Sequence, residues 1–93
     1  MLLYAILREH RDSGEKQICV GSSPISGKPY WSKLEKKEDG TTAPAEATIS
    51  PLLFRSPEYA LYCLDIAKRE MVKCEPEDSM FWHFYTNPID KLV

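Results

Sequence analysis

The feature that most constrains this chain is the segment Phe54-Arg55-Ser56-Pro57-Glu58-Tyr59-Ala60-Leu61-Tyr62-Cys63-Leu64-Asp65-Ile66-Ala67-Lys68-Arg69-Glu70-Met71, its one strongly helical stretch. Ser56 is a good N-cap. Pro57 suits the first helical position, where a missing N–H costs nothing, and Glu58 sits beside the positive end of the helix dipole. At about 100° per residue, Ala60, Cys63, Leu64, Ala67 and Met71 fall on one stripe. Tyr59, Tyr62 and Ile66 widen that stripe to one side, and Asp65, Lys68 and Arg69 lie opposite. Such a helix, expected over 57–70, must bury its apolar face on another layer. With nothing else long enough to be a second helix of this size, that layer has to be a sheet.

The rest of the chain supplies strands. Leu2 to Leu7 is an unbroken apolar run with both faces apolar, which places it inside a sheet with a partner on each side. Asp12-Ser13-Gly14 is a turn, and Gln17-Ile18-Cys19-Val20 completes an N-terminal β-hairpin. Residues 21–29 are dense in Gly, Ser and Pro and read as a loop. Its Ser26-Gly27-Lys28 triplet lacks the spacing of a phosphate-binding loop. Tyr30-Trp31 is followed by Ser32-Lys33-Leu34-Glu35-Lys36-Lys37, which fits either a short capped helix or a strand entering a turn at Glu38-Asp39-Gly40. From about 36 to 47 a mobile segment or a hairpin arm is expected.

Pro51 allows only an irregular or edge approach to the helix, with Leu53 or Phe54 folding back over its first turn. Val72-Lys73-Cys74 is β-compatible, and Glu75-Pro76-Glu77-Asp78-Ser79 reads as an acidic loop. Met80-Phe81-Trp82-His83-Phe84-Tyr85 is the most aromatic stretch and is expected to be a strand, with a short helix from Pro76 as the rival. Asn87-Pro88 should end it, leaving Ile89 to Val93 as a frayed tail. The expectation is one α+β domain over residues 1–93: an antiparallel sheet of three to five strands, the N-terminal hairpin central, packed on one helix.

Chemistry is sparse in this pattern. Ninety-three residues support a single core. A net charge of −2 gives no global field that would attract a nucleic-acid backbone. The cysteines, Cys19, Cys63 and Cys74, are odd in number and without a pairing motif. They read as free thiols of a reducing, cytoplasmic compartment, the first two buried. Met1 to Leu7 lacks the basic flank and cleavage site of an export signal, and no apolar run is long enough to span a membrane. No two of His10, His83 and the cysteines have metal-ligand spacing, so no metal and no cofactor is expected. Cys74 with His83 is the one conceivable nucleophile pair, and the acidic run at Glu75, Glu77 and Asp78 is interrupted by Pro76. The reading is therefore non-enzymatic.

Two binding readings remain. The surplus of large aromatic groups favours a protein partner, with Trp31, Tyr59, Tyr62 and Trp82 as contact residues, since Trp and Tyr dominate interface energetics. A compact inhibitor or adaptor that modulates a larger macromolecule fits this. Accessory proteins of viruses and other mobile elements often work in that way, which is an analogy of class only. The alternative is a nucleic-acid module in which Lys28, Lys33, Lys36 and Lys37 interleave with Tyr30 and Trp31.

Overall fold

The computed structural model describes residues 2–46 and 50–91. Its elements are β1 (Tyr4–His10), β2 (Lys16–Ser22), β3 (Pro29–Lys36), β4 (Thr42–Pro44), β5 (Leu53–Phe54), α1 (Pro57–Cys74), α2 (Pro76–Ser79) and β6 (Trp82–Pro88), followed by a 3-10 turn over Ile89–Lys91. All strand pairings are antiparallel. The order across the sheet is β4-β3-β2-β1-β6, with β5 wedged beside β1 at the end where β2 leaves it. The expected sheet is thus present, with five strands and the two-residue β5 in addition.

β1 is the hub. Leu7, Arg8 and Glu9 pair with Ile18, Gln17 and Lys16, while Tyr4 and Ala5 pair with Phe54 and Leu53 on the same edge. The whole of β1 pairs with β6 on the other edge. Arg11 N–H donates to Phe81 O, and Ile89 N–H to Leu3 O. Extending this alternation along the register, odd-numbered residues of β1 bond to β6 and even-numbered ones to β2 and β5. His10 N–H donating to Glu15 O agrees with that assignment.

Both faces of β1 are buried, as its two-sided apolar run demands. Ile6 joins Cys19, Phe54, Ala60 and Leu64 under α1, with Tyr4, Trp31, Cys63 and Phe84 packed around them. Ala5, Leu7 and Ile18 form a second cluster on the opposite face, flanked by Val20, Leu34, Leu53 and Tyr85. Among the described residues no helix covers that face. The sheet instead curls, so that side chains of its outer strands lean over the central ones. A bulge between Cys19 and Gly21 contributes, since an unpaired residue bends its strand and raises its twist. Gly21 sits there at φ 154, a backbone setting open to glycine.

α1 begins as its sequence dictates: the Ser56 hydroxyl accepts from Tyr59 N–H at 3.2 Å and Pro57 opens the first turn. Phe54 packs on the Tyr59 ring, 5.7 Å between centroids, which is the expected fold-back over the first turn. The helix runs four residues beyond the anticipated end. Val72-Lys73-Cys74 is helical and not β because Met71, four residues after the buried Ala67, continues the buried ladder, and only Pro76 interrupts it.

The C-terminal segment uses both readings considered for it. A helical turn spans Pro76–Ser79, Met80 and Phe81 form a turn, and β6 starts at Trp82. Trp82 and Phe84 face α1 while Tyr85 faces away, so the expected alternation holds from Trp82 onward, with Met80 and Phe81 outside the strand. The strand ends at Pro88, as expected of Asn87-Pro88, although both residues still pair with β1, Pro88 with Tyr4, and so belong to the strand. Ile89 is not frayed but anchored through Leu3, whereas Leu92 and Val93 lie outside the described residues. Residues 36–44 form the end of the β3–β4 hairpin, its turn held by Asp39 accepting from Thr41. Those bonds hold the Asp39 carboxyl below its usual range. Ala47, in the segment expected to be mobile, is outside the described residues.

Leu64 sits at the centre of the helix–sheet cluster. Leu64→Ala is expected to cost about 2–5 kcal/mol in denaturant unfolding, while Tyr62→Ala on the exposed flank stays within about 0.5 kcal/mol.

Candidate functional site

The four aromatic residues singled out in the sequence separate into two environments. Trp82 is buried in the fold and Trp31 is partly buried beside it. On the α1 side of the sheet, β1 carries Arg8, which is only 9% exposed. Its guanidinium lies 3.9 Å from the Trp82 ring centroid and 4.6 Å from that of Trp31. Trp31 also meets Phe84 at 5.8 Å, and His10 meets Trp82 edge-on at 5.0 Å. Arg8 Nε–H donates to Gln17 Oε1 at 2.9 Å, and Gln17 Nε2–H donates on to Glu15 at 2.7 Å.

This cluster carries a surplus of donors. Arg8 Nη1 and the two indole N–H groups are buried and find no acceptor among the described residues. Desolvation lowers the Arg8 pKa, opposed by the more distant charges of Asp78, Glu75 and Glu15. A buried cation held by aromatic faces and one amide, with no carboxylate in contact, is an expensive way to fill space. Sequence reasoning missed Arg8 because it follows an apolar run and reads as the first solvated residue of a hairpin tip.

Tyr59 and Tyr62 have the opposite fate. They are 57% and 62% exposed on one flank of α1, with their rings 6.1 Å apart. Ile66 follows one turn on, also exposed, and Leu52 is exposed beside it where the chain enters β5. Between this flank and the β2–β3 side of the sheet runs a groove of about 500 Å³. It is lined by Tyr59, Cys63 and Ile66 of α1, by Leu52 and Phe54, and by Gly21 and Pro29. The C-terminal strand packs elsewhere, so the flank stays open.

The lysine set does not converge on a face. Lys28 is paired with Glu75, whose hydrogen bond raises the Lys28 pKa. Lys33 lies 3.6 Å from Glu15, and Lys37 lies 3.4 Å from Glu35. Lys33 and Lys36 point to opposite faces of β3, because Trp31 lies on the α1 side and Leu34 on the other. A shallow cleft of about 540 Å³ near the hairpin ends is lined by Lys16, Lys33 and Lys36, but Glu15 and Glu35 line it too.

Among the described residues no three His, Cys, Asp or Glu side chains gather as a cation-binding group. No described helix is long and apolar enough to cross a membrane. The cysteines are free: Cys19 buried, Cys63 half-buried in the groove wall, Cys74 exposed at the end of α1. Burial pushes the Cys19 thiol above its ordinary pKa, and its S–H donates to Gly21 O at 3.4 Å. Compared with protein-family models, with curated proteins and with solved structures, the chain matches none.

Two outcomes test this description. Arg8→Met is expected to stay within about 1 kcal/mol of the parent in denaturant unfolding, because relief of the desolvated charge offsets the lost cation–π contacts. Arg8→Ala, which opens a gap between two indoles, should lose at least about 2 kcal/mol. A thiol reagent at neutral pH should modify Cys74 first and Cys19 only on unfolding, as followed by intact mass.

Proposed function

We propose that this chain is a non-enzymatic protein-binding domain of the inhibitor or adaptor type, and that it engages its partner through the open flank of α1. The observation that supports this is the group of exposed apolar side chains at the groove: Tyr59, Ile66 and Leu52 line it, and the Tyr62 ring lies beside it, 6.1 Å from that of Tyr59. Exposed apolar groups scattered singly need no explanation, whereas a contiguous patch bordering a concave wall is how a contact site is built. The two tyrosines supply large, stiff contact area with a hydroxyl at the rim, the composition of interface hot spots. Trp31 and Trp82 act in this reading from within, as the packing that holds β3 and β6 around Arg8.

The groove lining is mostly apolar and carries no charged side chain, so the complementary partner segment presents aliphatic or aromatic groups. The reading places the protein in the cytoplasm, which the three free thiols support. The nucleic-acid alternative is weaker, because three of its four lysines are already ion-paired and the set is divided over two faces.

An affinity capture from the native host, with the parent and two variants as bait, decides between the readings. Tyr59→Ala combined with Tyr62→Ala should abolish recovery of a protein partner while circular dichroism and the unfolding midpoint stay at parent values. Replacement of Lys33, Lys36 and Lys37 by Gln should leave recovery intact. Loss of recovery in the lysine variant alone, with affinity falling steeply as salt rises, would instead establish a nucleic-acid face.

A further inference from the structure

The two edges of the sheet are built differently. β4 is three residues long, ends in Pro44, and borders the Lys- and Glu-rich end of β3, all devices that keep an edge from pairing further. β6 has seven residues in unbroken register with β1, without a bulge. Trp-His-Phe-Tyr-Thr-Asn-Pro contains no Lys, Arg, Asp or Glu.

The hydrogen-bond alternation shows what this second edge offers. Odd-numbered residues of β6 bond inward to β1, so the N–H and C=O groups of Trp82, Phe84 and Thr86 point outward. No strand among the described residues takes them. Pro88, the next outward position, has no N–H and closes the edge. Beside the strand's start, Met80 is 73% exposed and Phe81 49%, a second apolar surface remote from the α1 groove.

We propose that β6 pairs with β6 of a second copy of this chain, in antiparallel orientation about a two-fold axis through Phe84. An antiparallel strand edge is self-complementary, so the same patch serves both copies. In this register Phe84 faces Phe84 of the second copy and Trp82 faces its Thr86. Every outward N–H of each copy then meets an outward carbonyl of the other. His83 comes opposite Tyr85 of the second copy, extending across the interface the aromatic stacking these two rings already make at 5.5 Å within one chain. Met80 and Phe81, in the turn that precedes the strand, come near the Asn87-Pro88 end of the second copy and become less exposed to water. Absence of charge along the strand means that no like charges meet at the axis. The product is one continuous sheet with α1 of both copies on the same side and both grooves open.

Sedimentation velocity over about 1–300 μM covers the affinity range of weak to moderate self-association. The expected result is a concentration-dependent species of twice the 10.7 kDa chain mass. Thr86→Pro removes an outward donor that the β1 ladder does not use, and should leave the circular dichroism unchanged while the species stays monomeric. Hydrogen exchange provides a second reading on the parent chain: amides of Trp82, Phe84 and Thr86 should slow by about tenfold or more as concentration rises, whatever becomes of the variant. A parent chain monomeric throughout the range overturns the proposal, including the case in which a strand of a different protein occupies this edge. A dimer that persists in folded Thr86→Pro, or that leaves those three amides unprotected, overturns it as well and moves the interface elsewhere.

Discussion

The architecture hangs on the burial of a single strand from every direction. β1 is apolar on both faces and hydrogen-bonded along both edges, so it must lie in the interior of a sheet that has cover above and below. A chain of this size has one helix to offer, and α1 covers one face. The other face is closed by curvature, with Leu34, Leu53 and Tyr85 leaning over Ala5, Leu7 and Ile18. Two small cores back to back through one strand are a way for a short chain to bury more apolar area than a flat two-layer sandwich would allow.

That constraint distributes the aromatic residues. β6 fills the free edge of β1 and carries Trp82 and Phe84 to the α1 side, where they close with Trp31 over Arg8. Once these rings are committed inside, none is left to cover the far side of α1. Tyr59, Tyr62 and Ile66 therefore remain at the surface beside a groove. The open flank is a consequence of where the C-terminal strand goes, and it is the property on which the proposed binding role rests.

Much of this was legible in the sequence, since the signals were local. The helix start at Ser56-Pro57, the two-sided apolar run of β1 and the Asp12-Ser13-Gly14 turn each follow from side chains within a few residues of one another. What could not be read depended on contacts distant along the chain. Val72-Lys73-Cys74 looked β-compatible because the burial of Met71 against the rest of the protein, which carries the helix onward, is not encoded in those three residues. That Pro88 still belongs to the strand it ends was not legible, because its position at an edge, where no N–H is required, depends on its pairing with Tyr4, more than eighty residues away. For the candidate site, periodicity isolated Tyr59, Tyr62 and Ile66, but nothing local distinguished the inward-packed tryptophans from the exposed tyrosines. Arg8 was invisible for the same reason: its burial is made by Trp31 and Trp82, neither of them near it in sequence.

If β1 is locked on both edges within a single cooperative unit, native-state hydrogen exchange resolved by residue will show it. Amides of Ala5 and Leu7, which bond to β6, and the amide of Arg8, which bonds to β2, should all exchange at one common free energy equal to that of global unfolding. Exchange of Ala5 and Leu7 through an opening several kcal/mol cheaper than that of Arg8 would contradict it. In that case β6 would be a detachable flap, and the commitment of Trp82 and Phe84 to the interior would no longer account for the open flank of α1.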